Sequence, residues 1–120
     1  MELKGDAKLL KIYIGADDKV NDTPLSEVIV YAARKYGIAG ATVTNGFLSY
    51  GANSLADELY PMKLSDTKPV IIEIIDNIEK IDGFIHIIQN YFKNAKYGGV
   101  ISTNDVNVLV YKKHRRSANK

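Results

Sequence analysis

Cysteine and tryptophan are absent from the 120-residue chain, and only two histidines are present. Without cysteine, disulfides, thiolate nucleophiles and cysteine-ligated zinc sites are excluded. His86 follows the pattern of a helix and His114 lies near the C-terminus, and no metal-binding spacing joins them. Serine-hydrolase elbows, Walker phosphate loops and dinucleotide-binding loops are also missing from the sequence. We therefore expect a protein that is not an enzyme and holds no metal.

Neither sign of charge dominates, since 16 lysines and arginines face 14 aspartates and glutamates, for a net charge of +2. Much of the positive charge lies in the last segment, YKKHRRSANK, and the remainder is slightly acidic. Nucleic-acid-binding domains usually carry a strongly basic face, so nucleic acid is not an expected partner. No apolar run has the length of a signal peptide or a membrane span, which favours a cytoplasmic protein.

The chain length fits one domain. We predict a single domain over residues 1–120, with flexible tails over about residues 1–7 and 113–120. Alternating apolar residues predict strands, and apolar residues at steps of three and four predict helices. The predicted strands are Lys8–Gly15, a second within AGATVTNGFLSY that Val43–Leu48 complete, Lys68–Asp76 and Asp105–Lys112.

Two helices are predicted between these strands. The first spans TPLSEVIVYAARKYG, with Thr23 as its N-cap, Pro24 in its first turn and Gly37 just past its end. The second begins at Asp76 and Glu79, which have the spacing of a capping box. The order is therefore βαββαβ. Right-handed crossovers arrange this order as a ferredoxin-like α+β fold, a four-stranded antiparallel sheet with both helices on one face.

Apolar residues occupy both faces of the predicted strands, which is unusual for an antiparallel sheet with one face in water. Leu9 and Leu10 are adjacent in the first strand, and the run from Val70 to Ile75 is nearly continuously apolar. That run also predicts a central position for the third strand. Association through the uncovered face would shield these residues, so we expect a homo-oligomer.

Two connections stand out from this pattern. The segment VTNGFLSYGANS starts as a strand and continues into a long connection, of a kind that is often functional in small domains. The segment NAKYGGVISTNDV contains Gly98 and Gly99, where the backbone can approach a ligand closely and its N–H groups can bind an anion. In the alternative interpretation, these two glycines only end the second helix.

The segments LKIYIG, GIAGATVTNGFLSYGANS, KPVIIEIIDNIEKI and DVNVLVYK together resemble the domain-of-unknown-function 190 family, which is PII-like in fold. The resemblance covers nearly the whole chain. PII-like proteins are trimers that bind nucleotides between neighbouring subunits and signal to a partner through a long T-loop. The resemblance therefore implies a homotrimer, a nucleotide ligand and a T-loop in the connection after the second strand.

The resemblance also implies nine ligand-binding positions: Ser49, Tyr50, Gly51, Ala52, Asn53, Gly98, Gly99, Val100 and Lys112. The first five match the base of the T-loop, the next three match a loop called the B-loop, and the last matches basic residues near the C-terminus. True PII proteins carry an Arg-Gln pair at Ala52-Asn53 and a B-loop lysine at Gly99. Because this chain has fewer cations there, the resemblance favours AMP or ADP among the adenine nucleotides AMP, ADP and ATP, and a different small ligand is the alternative.

The implied function is a non-enzymatic signalling or regulatory protein that acts through its T-loop on a partner. Because the family is associated with transport genes, the resemblance suggests a membrane transporter or channel as that partner. The alternatives are a ligand-free structural trimer, a CutA-like divalent-metal-tolerance protein and an acylphosphatase-like enzyme on the same fold. A soft-metal site is disfavoured by the missing cysteines. Acylphosphatase chemistry is disfavoured by the acidic ADDKVND, where a cationic phosphate loop would be needed.

Overall fold

The computed structural model describes residues 3–47, 68–93 and 98–114. Within them the chain forms two helices and six strands, and two of the strands have only two residues each. The strands are β1 (Gly5–Gly15), β2 (Lys19–Val20), β3 (Thr23–Pro24), β4 (Ala41–Asn45), β5 (Pro69–Asp76) and β6 (Val100–Val108). The helices are α1 (Leu25–Tyr36) and α2 (Ile78–Lys93).

A four-stranded sheet with the order β4-β5-β1-β6 organises the molecule, and each neighbouring pair in it is antiparallel. Buried residues of both helices join one core cluster with β1 and β5, so α1 and α2 cover the same face of the sheet. This arrangement confirms the predicted ferredoxin-like α+β fold. The predicted central position of β5 is also confirmed, because β5 lies between β4 and β1.

The core lies between the sheet and the two helices. Alternate residues of β1 and β5 face the helices and pair across the strands, as the apolar period of two requires. These buried strand residues are Leu10, Ile12, Ile14, Val70, Ile72 and Ile74. The helices contribute Leu25, Ile29, Ala33, Ile81, Phe84 and Ile88. Each large apolar side chain buried here stabilises the fold by about 1.5–3 kcal/mol.

A small hairpin between β1 and α1 is not apparent from the sequence pattern. β2 pairs with β3 around Asn21 and Asp22, whose φ angles are +49° and +71°. Positive φ at both positions is the geometry of a type I′ turn, which asparagine and aspartate tolerate. The hairpin brings the Leu25 N–H to the carbonyl of Asp18 at 2.7 Å. The polar segment after β1 therefore positions the first residue of α1.

The predicted N-cap of α1 is wrong. Pro24 is the N-cap residue, and no side chain caps the helix there. Thr23 instead pairs with Val20 in the hairpin, which fixes its backbone as part of a strand. The C-terminal prediction is confirmed, because Gly37 ends α1 in the left-handed conformation with φ at +92°. Lys80 Nζ donates a hydrogen bond to the Gly37 carbonyl at 2.6 Å.

The predicted capping box at Asp76 and Glu79 is also wrong. Asn77 caps α2, since its Oδ1 accepts a hydrogen bond from the Lys80 N–H at 3.0 Å. Asp76 is fully buried, and its carboxylate accepts N–H bonds from Asn77 at 2.7 Å and from Ala39 at 2.9 Å. One buried carboxylate therefore joins the end of β5 to the segment between α1 and β4.

The last strand lies earlier in the chain than the predicted Asp105–Lys112. Its position follows from β1, its antiparallel partner. Val100 at the start of β6 pairs with Tyr13, and Val108 at its end pairs with Gly5, the first residue of β1. β1 itself begins at Gly5 rather than at the predicted Lys8. Residues 5–7 therefore belong to the sheet and not to a terminal tail.

Replacing Asp76 by alanine is expected to lower the free energy of unfolding by about 2–3 kcal/mol, because two N–H groups lose their acceptor. Asp17→Ala, at an exposed aspartate, is the matched control and should change it by less than about 0.5 kcal/mol. Urea unfolding followed by circular dichroism measures both values. Equal losses in the two variants would contradict the role given to Asp76.

Candidate functional site

Five of the nine predicted ligand-binding positions, Ser49 to Asn53, lie outside the described residues. The other four are described: Gly98, Gly99, Val100 and Lys112. The geometry of the candidate site is therefore given by the B-loop, by the C-terminal segment and by the residues from which the long connection starts.

The long connection leaves β4 at a fixed point. β4 ends at Asn45, so the strand predicted to continue through Val43–Leu48 is already over at Gly46 and Phe47. The Gly46 N–H donates to the carbonyl of Pro69 at 2.7 Å, and a Cβ added at Gly46 would collide with the proline ring. The first residues of the connection are therefore held against the start of β5.

The B-loop meets β1 at Gly99. A Cβ added at Gly99 would lie 2.7 Å from the carbonyl oxygen of Tyr13 and 2.6 Å from a ring carbon of Phe92. Neither distance is tolerated without moving the backbone or the ring. The φ of Gly99 is not positive, so close packing explains this glycine and left-handed backbone does not. Gly98, by contrast, is exposed.

Tyr13 is a candidate ligand contact that the sequence pattern does not reveal. It lies on the face of the sheet away from the helices, paired with Val100 on one side and Ile71 on the other. Its side chain is 38% exposed. An exposed aromatic ring can stack on a planar ligand. The alternation in LKIYIG predicts that Tyr13 faces away from the core, but only the β1–β6 register places it beside the B-loop.

The long connection and the B-loop leave the same end of the sheet. Asn45 pairs with Val70, and Val70 pairs with Ile14. The preceding residue of β1, Tyr13, pairs with Val100 at the start of β6. Neighbouring strands lie about 4.8 Å apart, so the two loops of one chain are separated by roughly 14 Å across the sheet.

Lys112 lies beyond the opposite end of β6. A strand rises about 3.3 Å per residue, so the two ends of β6 are separated by roughly 26 Å. Lys112 comes four residues after the last residue of the strand and is exposed. The predicted B-loop residues and Lys112 therefore do not form one continuous site within a single chain.

Neither helix covers the opposite face of the sheet. Strand alternation places apolar side chains of β1, β5 and β6 there, and we call this surface the open face; its side chains include Leu9, Tyr13, Ile71, Ile75, Val100 and Val106. Ile75 is 39% exposed. Lys11 and Glu73 form an ion pair of 3.8 Å across the middle of this face. Exposed pairs of this kind contribute little to stability, so the ion pair does not compensate for apolar surface left in water.

Within residues 3–47, 68–93 and 98–114, no three side chains of the types that ligate metals come together in a group that could hold an ion. In the same ranges, no helix is both long enough and apolar enough to cross a membrane.

Replacing Gly99 by alanine is expected to lower the free energy of unfolding by about 1–3 kcal/mol, because the methyl group overpacks the contact with Tyr13 and Phe92. Gly40→Ala is the matched control, since a Cβ at Gly40 meets nothing within 4 Å. That control should be neutral or stabilising by up to about 1 kcal/mol. If Gly99→Ala were as stable as the control in thermal unfolding, the close packing would be disproved.

Comparison with known proteins identifies relatives of the whole domain. Residues 7–108 match the model of DUF190, described as "Uncharacterized ACR". A UPF0166 protein of Aquifex aeolicus (strain VF5) is 31% identical over 102 residues, which cover 85% of this chain and 92% of that protein. A UPF0166 protein of Methanocaldococcus jannaschii is 34% identical over 102 residues, which cover 85% of this chain and 91% of that protein.

Solved structures with the same fold are PII-like proteins. CPII from Thiomonas intermedia K12, in a structure bound to ADP, AMP and acetate, aligns with a TM-score of 0.63 at 18% identity, over 90% of this chain and 92% of that one. A putative PII-like signalling protein of Thermus thermophilus aligns with a TM-score of 0.61 at 20% identity, over 91% and 94% of the two chains. Similarity at these identities establishes the fold. The chain belongs to the DUF190 family and has a PII-like fold, as its sequence predicts.

Proposed function

We propose that this protein is a non-enzymatic PII-like regulator that binds an adenine nucleotide between copies of the chain. The observation that carries the proposal is the separation of Gly98–Val100 from Lys112 at the two ends of β6. A site that uses both groups needs a second copy, whose C-terminal segment supplies the cation. CPII, which shares the fold, has been solved with ADP and AMP bound.

The described residues offer complementary chemistry to a nucleotide. Tyr13 presents a partly exposed ring that can stack on the base. Gly98 and Gly99 can bring backbone N–H groups close to a phosphate. Lys112 adds one positive charge to the B-loop of a neighbouring copy. With so few cations, the site favours AMP or ADP over the more highly charged ATP.

The open face gives a reason for assembly. Apolar side chains of β1, β5 and β6 lie on a face that the helices do not cover, and Tyr13 and Val100 lie at the end of that face, beside the B-loop. Packing these faces of several copies around a common axis would remove the apolar surface from water at about 25 cal/mol per Å². A homotrimer, the assembly that the family resemblance implies, satisfies both this requirement and the need for a cleft between copies.

Regulation would act through the connection that contains Ser49–Asn53, as the T-loop of a PII-like protein. A nucleotide can switch this connection only if it binds two of its states with different affinity. The anchoring of Gly46 on Pro69 gives the connection a rigid base from which such a difference can be transmitted. A membrane transporter or channel is the proposed partner.

Isothermal titration calorimetry with AMP, ADP, ATP and cyclic AMP tests the ligand. We expect AMP and ADP to bind more tightly than ATP. Lys112→Met should weaken ADP binding by about fivefold, the effect of roughly 1 kcal/mol from one exposed charge. Arg34→Met, at an exposed cation in the last turn of α1, is the control and should leave the affinity unchanged. If none of the four nucleotides bound, a ligand-free structural trimer would be the better explanation.

Sedimentation of the native protein and of one open-face variant tests the assembly. We expect the native chain to sediment as a trimer and Ile75→Lys to sediment as a folded monomer, because a lysine there would be buried without a partner in the assembly. Gln89→Lys, on the exposed side of α2, should remain trimeric. A native protein that sediments as a monomer would disprove the inter-subunit site even if nucleotides bound.

A further inference from the structure

A groove of about 400 Å³ runs between α1 and α2 on the outer side of the helix layer. Three tyrosines line it, Tyr31, Tyr36 and Tyr91. Ala32 and Ile87 form its floor, since both also pack against the core. Sites for small molecules typically have volumes of roughly 300–1,000 Å³ with mostly apolar linings. The groove therefore lies near the lower end of this size range and is widely open to solvent.

One end of the groove depends on a close contact between the helices. A Cβ added at Gly83 would collide with the hydroxyl group of Tyr36, so the glycine allows that side chain to lie directly on α2. The Tyr36 ring also packs against Phe84, with ring centres 5.8 Å apart. Because Tyr36 packs against both Gly83 and Phe84 of α2, it forms a fixed wall of the groove where α1 ends.

The charge of the groove is positive. Lys35 lines it and holds its Nζ 5.7 Å from the centre of the Tyr31 ring, within the range of a cation–π contact. No acidic residue is among the described residues that line the groove. Lys35 is also absent from the ion pairs formed among the described residues. The groove therefore combines aromatic walls with an ammonium group that no described carboxylate neutralises.

We propose that this groove binds a small aromatic anion, such as an aromatic carboxylate. The ring of the ligand lies on Ala32 and Ile87 between the tyrosine rings, and its carboxylate meets the ammonium group of Lys35. The 62% exposure of Tyr31 leaves its ring free to cover the ligand. The groove lies on the helix side of the sheet, whereas Tyr13 lies on the open face. The site is therefore separate from the proposed nucleotide site and does not depend on it.

Titration of the full chain with naphthoate, followed by amide NMR shifts, tests the site. Naphthalenemethanol and naphthylmethylamine serve as neutral and cationic probes of the same shape. We expect naphthoate to bind most tightly and to shift signals of α1 and α2. Lys35→Met should weaken the binding of naphthoate by about five- to tenfold, so that naphthoate no longer binds more tightly than the neutral probe. Arg34→Met, an adjacent cation outside the groove, should bind naphthoate as the native chain does.

Three outcomes would overturn the proposal. Naphthoate could fail to give a saturable shift, or the three probes could bind equally, which would mean an apolar surface without charge selection. Arg34→Met could weaken naphthoate binding as much as Lys35→Met does, which would mean that the anion is attracted generally to the basic end of α1. Both variants change exposed side chains, so an unchanged melting temperature confirms that the comparison is made on folded protein. Tyr31→Ala adds a second check, because loss of this ring should weaken the binding of all three probes.

Discussion

The pairing of β1 along both of its edges is the constraint on which the rest of the structure depends. β1 pairs with β5 from Lys8 to Gly15 and with β6 from Gly5 to Tyr13. A shift of one residue in the β1–β5 register would turn the core residues of one strand to the opposite face, so the apolar alternation of these two strands fixes that register. The core, the open face and the positions of the loops all follow from this double pairing.

The same pairing explains why one chain does not complete the candidate site. It places the B-loop against the end of β1 near Tyr13, and it sends the C-terminal segment past the other end of the sheet. It also leaves both edges of the sheet, β4 and β6, without a further strand among the described residues. Edges and an apolar face that remain unpaired in a monomer are surfaces that a natural protein usually covers by association. In the proposed function, the site and the assembly therefore follow from the same strand pairing.

The helix layer serves the loops as well as the core. The buried carboxylate of Asp76 and the ammonium group of Lys80 both bind backbone between α1 and β4, so the segment leading into the edge strand is held from the sheet and from α2. Phe92 of α2 packs against the B-loop glycine. Its neighbour Tyr91 lines the groove between the helices. The last turn of α2 therefore contacts both candidate sites, one on each side of the sheet.

The sequence by itself determined the order of the four sheet strands and the two helices, the fold class, the central position of β5 and the end of α1 at Gly37, because each has a local signal in apolar period or glycine conformation. The tertiary structure decided the rest. β6 is a strand over the polar ISTNDV because β1 provides its partner. Position 99 accommodates only a glycine without a shift of its neighbours, because Tyr13 and Phe92 occupy the space that a Cβ would need. The separation of Lys112 from the B-loop follows from the length of β6. Each of these features depends on which strands and helices become neighbours in the fold, and no local pattern encodes that.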